Sequence, residues 1–322
     1  MQIMPDDHLP EEPRAVVNLR HDNLLESATI TYLAGMSPNT QRAYRSRLEA
    51  FMDWREQQEP APFVAHLKMY VAHLQDEQGL SPRSVQAHLN TIKGMLRTAA
   101  ALEPRIASHL PQLDLVKAPT VRGELQGSRL TAQQARELLQ APGRETVKGL
   151  RDSAILGLLL TLGLRRSEIC NLTWGHLAEL DGHKVIANLR GKHGRVRTLK
   201  LPVWLWRSLV AWGEHSGLNY TDPACPIFVP ITKDGKVLTY RQGMTPHAIY
   251  KLVNYYTALV GLPPVKPHDL RRTAALLARR GGATIEQVQI MLGHASPQTT
   301  SSYIGETLDL DDNAVDYNPL RL

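Results

Sequence analysis

The chain has 322 residues, 43% of them hydrophobic, and a net charge of +6 from 37 Lys and Arg against 31 Asp and Glu. That length allows two domains and that charge favours a polyanionic partner, without separating DNA from RNA or an acidic membrane surface. The longest uninterrupted apolar run, residues 154–160, is too short to span a bilayer, and no basic-then-apolar leader opens the sequence. Cys170 and Cys225 lie far apart and outside any paired motif, so neither a disulfide framework nor a zinc site is indicated, which fits a reducing cytoplasm.

Residues 1–23 carry Pro5-Asp6-Asp7 and Pro10-Glu11-Glu12-Pro13 without periodicity and read as a loose segment. Ser37-Pro38 then caps a predicted helix whose Tyr44, Leu48, Phe51 and Trp54 recur at spacings of three and four, burying one stripe. A second helix is predicted over 63–74. A third, capped by Ser81-Pro82, continues through Val85, Leu89, Ile92, Met95 and Leu96. Residues 24–116 therefore read as a compact all-helical module. Arg42, Arg45 and Arg47 lie off its apolar stripe and, with Arg83 and Lys93, are candidate DNA contacts; alone, such charges make only a solvated basic face. Residues 117–129, with Ala118-Pro119-Thr120 and Gly123, read as a linker. Thr131 caps a helix over 132–139 and opens a second domain, 130–322.

In that second domain, residues 154–162 read as a buried helix stopped by Gly163, so that Arg165 emerges at a helix end beside the core. Glu168, three residues on, is placed to accept from a guanidinium and hold it; an exposed pair of this kind would be worth less than about 1 kcal/mol. Arg166 is the less favoured neighbour, facing solvent or DNA. Alternation at 185–189 and 196–201 predicts two strands, with Gly191-Lys192-His193-Gly194 as the hairpin tip between them and Arg195 just past it. A hairpin lysine is ordinarily a solubility device on a sheet edge. A helix over 202–212, an extended piece at 226–230 and a helix capped by Thr245-Pro246 follow.

The densest signal comes last. His268 and Arg271, in His268-Asp269-Leu270-Arg271, are three apart and share a helix face, with Arg272 beside them. Thr284 with Gln287 reads as a capping box opening a short helix that Gly293 ends, leaving His294 in the connection. Ser296-Pro297 restarts a helix on which Tyr303 rides about two turns further on. Singly, each feature is ordinary. A lone His-x-x-Arg is a solvated face and a lone late Tyr is packing.

Together, Arg165, Lys192, His268, Arg271, His294 and Tyr303, in that order, resemble the signature of the tyrosine recombinases, the phage-integrase family that includes the Xer and Cre types. Arg stands in Gly163-Leu164-Arg165-Arg166-Ser167-Glu168, Lys in the hairpin, and Tyr303 nine residues after the His of Leu292-Gly293-His294. The resemblance is met at every catalytic position from about 130 to 303 and extends more weakly over the helical module, which resembles the family's SAM-like core-binding domain. It implies a mainly α fold with a small antiparallel sheet: an all-helical core-binding domain plus a mixed α/β catalytic domain, closing as a C-shaped clamp on DNA.

The resemblance also implies a chemistry needing neither metal nor other cofactor. Tyr303 would attack a scissile phosphate to give a 3'-phosphotyrosyl ester and a free 5'-hydroxyl, storing the energy of the broken bond. Only about one free Tyr in a thousand is ionised at pH 7, so Arg165 and Arg271 would fork onto the phosphate oxygens while His268 and His294 hydrogen-bond it. Lys192 would protonate the leaving oxygen and Glu168 steady Arg165. Arg195 and Arg272 join the candidate DNA contacts. The implied partners are double-stranded DNA with inverted-repeat core sites, three further copies of the chain, and accessory DNA-binding proteins. Residues 304–322, acidic with interspersed apolar positions, are expected to dock on a neighbouring protomer. The absence of a recognisable arm-binding module weighs against a lambda-type integrase, and the short interval between 200 and 268 against an integron integrase. Type IB topoisomerases use closely related chemistry, and a non-enzymatic DNA-binding regulator would need only the basic charge and the helices.

Overall fold

The computed structural model describes residues 22–119, 129–191, 194–232, 234–238 and 242–304. Most of the expected loose N-terminal segment, part of the expected linker, Lys192 and the tail beyond 304 lie outside the described residues. The chain divides into two compact units, Met1–Gly123 and Glu124–Leu322, with separate hydrophobic cores.

The first unit is helical among its described residues: α1 (Asp22–Leu33), α2 (Pro38–Glu56), α3 (Phe63–Ala72), α4 (Pro82–Leu102) and α5 (Leu110–Asp114). Ser37 and Ser81 cap α2 and α4, each accepting from the amide three residues on, Thr40 and Ser84, with proline in the first turn. Helix α4 lays Val85, Leu89, Ile92, Met95 and Leu96 on one buried stripe against α1 and α2, each side chain worth about 1.5–3 kcal/mol of transfer free energy. The sequence did not announce α1, whose Thr29-Ile30-Thr31 is β-branched. It is held by tertiary contact: Leu25, Ala28 and Leu33 are buried, and the Tyr32 ring lies where any side chain at Gly94 of α4 would stand. The helix predicted over 63–74 ends earlier, at Ala72, and runs into a π-helical turn, His73–Glu77.

The second unit contains α6 (Ala132–Gln140), α7 (Val147–Gly157), α8 (Arg166–Cys170), β1 (Leu177–Leu180), β2 (His183–Arg190), β3 (Val196–Lys200), α9 (Val203–Ser216), α10 (Pro246–Leu259), α11 (Pro267–Arg280), α12 (Ile285–Leu292) and α13 (Pro297–Ile304). Its core joins α7 (Ala154, Ile155, Leu156) to α9 (Leu205, Leu209, Trp212) and to Ile186, Leu189 and Leu199 of the sheet. The three strands form one antiparallel sheet in the order β1-β2-β3. Strand β1 was not expected, although Asp181-Gly182, both at positive φ, is the turn that joins it to β2. Between β2 and β3 a β-bulge at Asn188 (φ 54°) pairs Ile186 with Leu199 and Leu189 with Arg197, so Ile186 and Leu189, three residues apart, both reach the core. Helix α9 runs one turn beyond the predicted 212, to Ser216, where Gly217 (φ 70°) ends it. Asp152, fully buried, ties α7 to α10 by accepting from Lys148 Nζ at 2.7 Å, Arg151 Nε at 2.8 Å and the Tyr256 hydroxyl at 2.9 Å. Among the described residues no helix is long and apolar enough to cross a membrane.

Candidate active site

Helix α7 continues as a π-helical turn, Leu158–Leu162, and stops at Gly163 in the left-handed conformation (φ 60°). Glycine is needed there on two counts. The conformation is costly for other residues, and a side chain would meet Leu292 Cδ2 at 3.0 Å and Arg271 Cγ at 3.4 Å. The backbone then delivers Arg165 as the residue preceding α8. Its amide donates to Glu168 Oε2 at 2.8 Å and its Nη1 to Oε1 at 2.7 Å, so the predicted pair is made twice over.

Glu168 is buried, and a second guanidinium shares it. Arg197 on β3 forks onto the carboxylate with Nη1 to Oε1 and Nη2 to Oε2, both 3.0 Å, and donates Nε to the Met291 carbonyl at 3.2 Å. Burial alone would raise the Glu168 pKa, but the Arg197 and Arg165 interactions outweigh it and hold the carboxyl below its usual range. Arg197 was not singled out from the sequence. The only local signal was its place on the inward face of β3, two residues from buried Leu199.

Helix α11 carries His268 and Arg271. Arg271 is fully buried, yet its Nη1 donates to the Gly163 carbonyl and its Nη2 to the Leu292 carbonyl. Both acceptors stand at helix C-termini, where the partial negative charge of the helix favours a cation. Helix α12 ends as predicted: Thr284 and Gln287 cap each other at its start, and Gly293 (φ 65°) closes its end with its amide on Gln289 O. His294 follows, its carbonyl accepting from Arg195 Nη1 at 3.2 Å and its Nδ1 lying 3.0 Å from Thr300 Oγ1 on α13. Ser296 caps α13 by accepting from the Thr299 amide at 3.2 Å. Tyr303 belongs to that helix, three residues after Thr300; its side chain lies outside the described residues.

Electrostatics show the convergence. Desolvation first, then the charges of Arg271 and Arg165, then His268 and Arg197, push the His294 pKa down to about 4. His268 is shifted the same way by partial desolvation and then Arg271, with Asp269 opposing and Arg272 and Arg165 adding. Both imidazoles are thus neutral at neutral pH and surrounded by positive charge, an arrangement suited to an incoming anion. Arg165, Arg271, His268 and His294 are brought together from three segments, with α13 packed against both α11 and α12. Lys192 lies outside the described residues, although its flanking Gly191 and Arg195 are joined across the hairpin by the Gly191 amide and Arg195 carbonyl at 2.7 Å.

The candidate DNA contacts are placed unevenly. Arg42, Arg45 and Arg83 are exposed on α2 and α4. Arg47 is half-buried over the Tyr44 ring, and its Nη1 lies 3.4 Å from Thr91 Oγ1. Lys93, expected among them, is instead turned inward: its Nζ donates to the Val116 carbonyl at 2.8 Å, because the backbone after α5 presents an acceptor there. In the second unit Arg195 is exposed and Arg272 half-buried. Arg166 is exposed beside the start of α10, with Nη1 3.4 Å from Pro246 O and its guanidinium 5.9 Å from the Tyr250 ring.

Residues 128–308 match the phage integrase family. The chain belongs to that family. It is similar to the tyrosine recombinase XerC of Xylella fastidiosa, 31% identical over 285 residues that cover 84% of this chain and 86% of that one. A tyrosine recombinase XerD of Pseudomonas putida is 27% identical over 278 residues, covering 84% and 87%. Among solved structures, a lambda integrase dimer bound to a COC' core site superposes with a TM-score of 0.64 over 89% of this chain and 97% of that one, at 18% identity. The Tn1549 transposon integrase in complex with transposon right end DNA gives 0.61 over 88% and 94%, at 20% identity. These two likenesses are of fold. Family membership makes the chain a tyrosine-type site-specific DNA recombinase.

Proposed function

We propose that the chain exchanges strands between two specific double-stranded DNA sites, with four copies acting on two duplexes, in the integration or resolution of a mobile element, plasmid or chromosome dimer. The observation that carries this reading is that Arg271 donates to the Gly163 and Leu292 carbonyls, which ties it to the segments bearing Arg165 and His294, beside the helix that bears Tyr303.

In this reading the Tyr303 phenol attacks the scissile phosphorus in line, forming a 3'-phosphotyrosyl ester as the bond to the 5'-oxygen breaks. Arg165 and Arg271 bind the non-bridging oxygens, whose charge grows in the pentacoordinate state. Their anchors, Glu168 for one and two backbone carbonyls for the other, fix them before substrate arrives, so little reorganisation accompanies the reaction. His268, neutral and exposed, takes the phenolic proton. His294 donates to the phosphate. Lys192 gives its proton to the departing 5'-oxygen. In religation the 5'-hydroxyl of the partner strand attacks the ester and the same groups work in reverse. The exposed arginines of the helical unit bind the DNA backbone, and residues beyond 304 dock on a neighbouring copy.

A plasmid carrying two copies of the cognate inverted-repeat site tests this against topoisomerase action. Recombinant circles are expected, and purely site-independent relaxation without recombinants would favour the topoisomerase reading. Removing residues 306–322 is expected to abolish recombination and spare half-site binding; unchanged recombination would refute docking.

A further inference from the structure

Arg197 has no part in the chemistry just described, yet three of its N–H groups are committed. Two fork onto Glu168 at 3.0 Å, and Nε donates to Met291 O at 3.2 Å. Its side chain is 9% exposed and its carboxylate partner 3%, so this is not a solvated surface pair. Two residues earlier, Arg195 reaches the same turn from the same limb of the hairpin, Nη1 to His294 O at 3.2 Å. The segment Met291–His294 is therefore gripped at both ends by one limb of the hairpin.

The surroundings are cut to admit this guanidinium. A side chain at Gly293 would lie 3.0 Å from Arg197 Nη1 and 3.2 Å from its Cδ and Cζ, and one at Gly191 would lie 3.2 Å from Nη1. Gly191 immediately precedes Lys192, and its amide closes the hairpin on Arg195 O at 2.7 Å. Arg197 thus touches the base of the tip that carries Lys192, the carboxylate that holds Arg165 and the turn that presents His294.

We infer that Arg197, seconded by Arg195, is a positioning residue that locks the β2–β3 hairpin to the Arg165–Glu168 pair and the Met291–His294 turn, so that the leaving-group acid and the phosphate-binding groups are set by one rigid junction. The inference rests on the reading of Lys192 as the acid. Only a planar fork satisfies it. Lysine keeps the charge but offers no parallel pair of N–H groups to a carboxylate together with a third to a carbonyl. Without Arg197, Arg165 still holds Glu168 through its amide and Nη1, whereas the hairpin loses its tie to both partners. The damage should therefore fall on protonation of the leaving group more than on phosphate binding.

Single-turnover cleavage of an ordinary core site is compared with cleavage of one carrying sulfur in place of the bridging 5'-oxygen, since a thiolate departs without an acid. Wild-type protein, Lys192→Ala, Arg197→Lys and Arg195→Ala are measured, with DNA affinity determined alongside. Arg197→Lys is expected to bind DNA normally, cleave the oxygen substrate about 10- to 100-fold more slowly, and recover most of that loss on sulfur. Arg195→Ala, at an exposed position that leaves the core intact, is expected to show a smaller defect of about 2- to 5-fold, also recovered. Equal losses on both substrates for either variant, or no loss on oxygen for Arg197→Lys, would overturn the inference while leaving a rescued Lys192→Ala and its assignment standing. If Lys192→Ala gains nothing from sulfur, the acid assignment falls and the inference with it.

Discussion

Replacing Thr300 by valine removes one hydroxyl from a fully buried position and changes the side-chain volume little. That hydroxyl lies 3.0 Å from His294 Nδ1, and it sits one helical turn before Tyr303, so it links the orientation of the imidazole to the helix of the proposed nucleophile. Losing a partner from a partly buried ring nitrogen costs about 1–2 kcal/mol, and if the ring must be aligned in the transition state the cost appears in the rate as about 5- to 30-fold. The assay is single-turnover cleavage of a nicked half-site, followed as covalent protein–DNA adduct. Because His294 is held neutral, with its pKa down at about 4, the deficit should be uniform between about pH 6 and 8. Thr300→Ser keeps the hydroxyl and should stay within about two-fold of wild type. A valine variant at the wild-type rate, or a serine variant as slow as valine, would refute the hydrogen bond as the operative link.

Gly163→Ala is expected to lower unfolding free energy by about 1–2 kcal/mol through the left-handed backbone alone, with more from the contact with Leu292; urea denaturation measures it, and an unchanged midpoint would contradict the conformation. The folded-state pKa of His294 lies below that of an unfolded histidine, so the unfolded chain binds more protons between about pH 6.5 and about pH 4. Stability should therefore fall on acidification through that window, and His294→Asn should lose less of it than wild type.

Local punctuation was legible in the sequence because it acts through neighbours a few residues away. Ser37-Pro38, Ser81-Pro82, Thr245-Pro246 and Ser296-Pro297 each open a helix, Thr131 and Thr284 build capping boxes, and Gly163 and Gly293 close their helices in the left-handed conformation. Arg165, Glu168, His268, Arg271 and His294 all stand at or beside such joints. Contacts made across the chain were not legible. Arg197 meets Glu168 from 29 residues away, and nothing at either position alone announces the other. Thr300 looked like one polar residue of an ordinary helix until α13 packed it against His294. The same holds for α1, whose β-branched sequence is a poor helix on its own and is stabilised by packing on α4, and for Lys93, whose inward carbonyl partner lies 23 residues further along.

The central claim is tested most directly by trapping the reaction on a nicked half-site, digesting the adduct with protease and nuclease, and locating the modified residue by mass spectrometry. A 3'-phosphonucleotide on Tyr303 is the expected result, with Tyr303→Phe binding the same DNA and yielding no adduct. A nucleotide carried by any other residue, or an adduct that persists in Tyr303→Phe, would contradict the account.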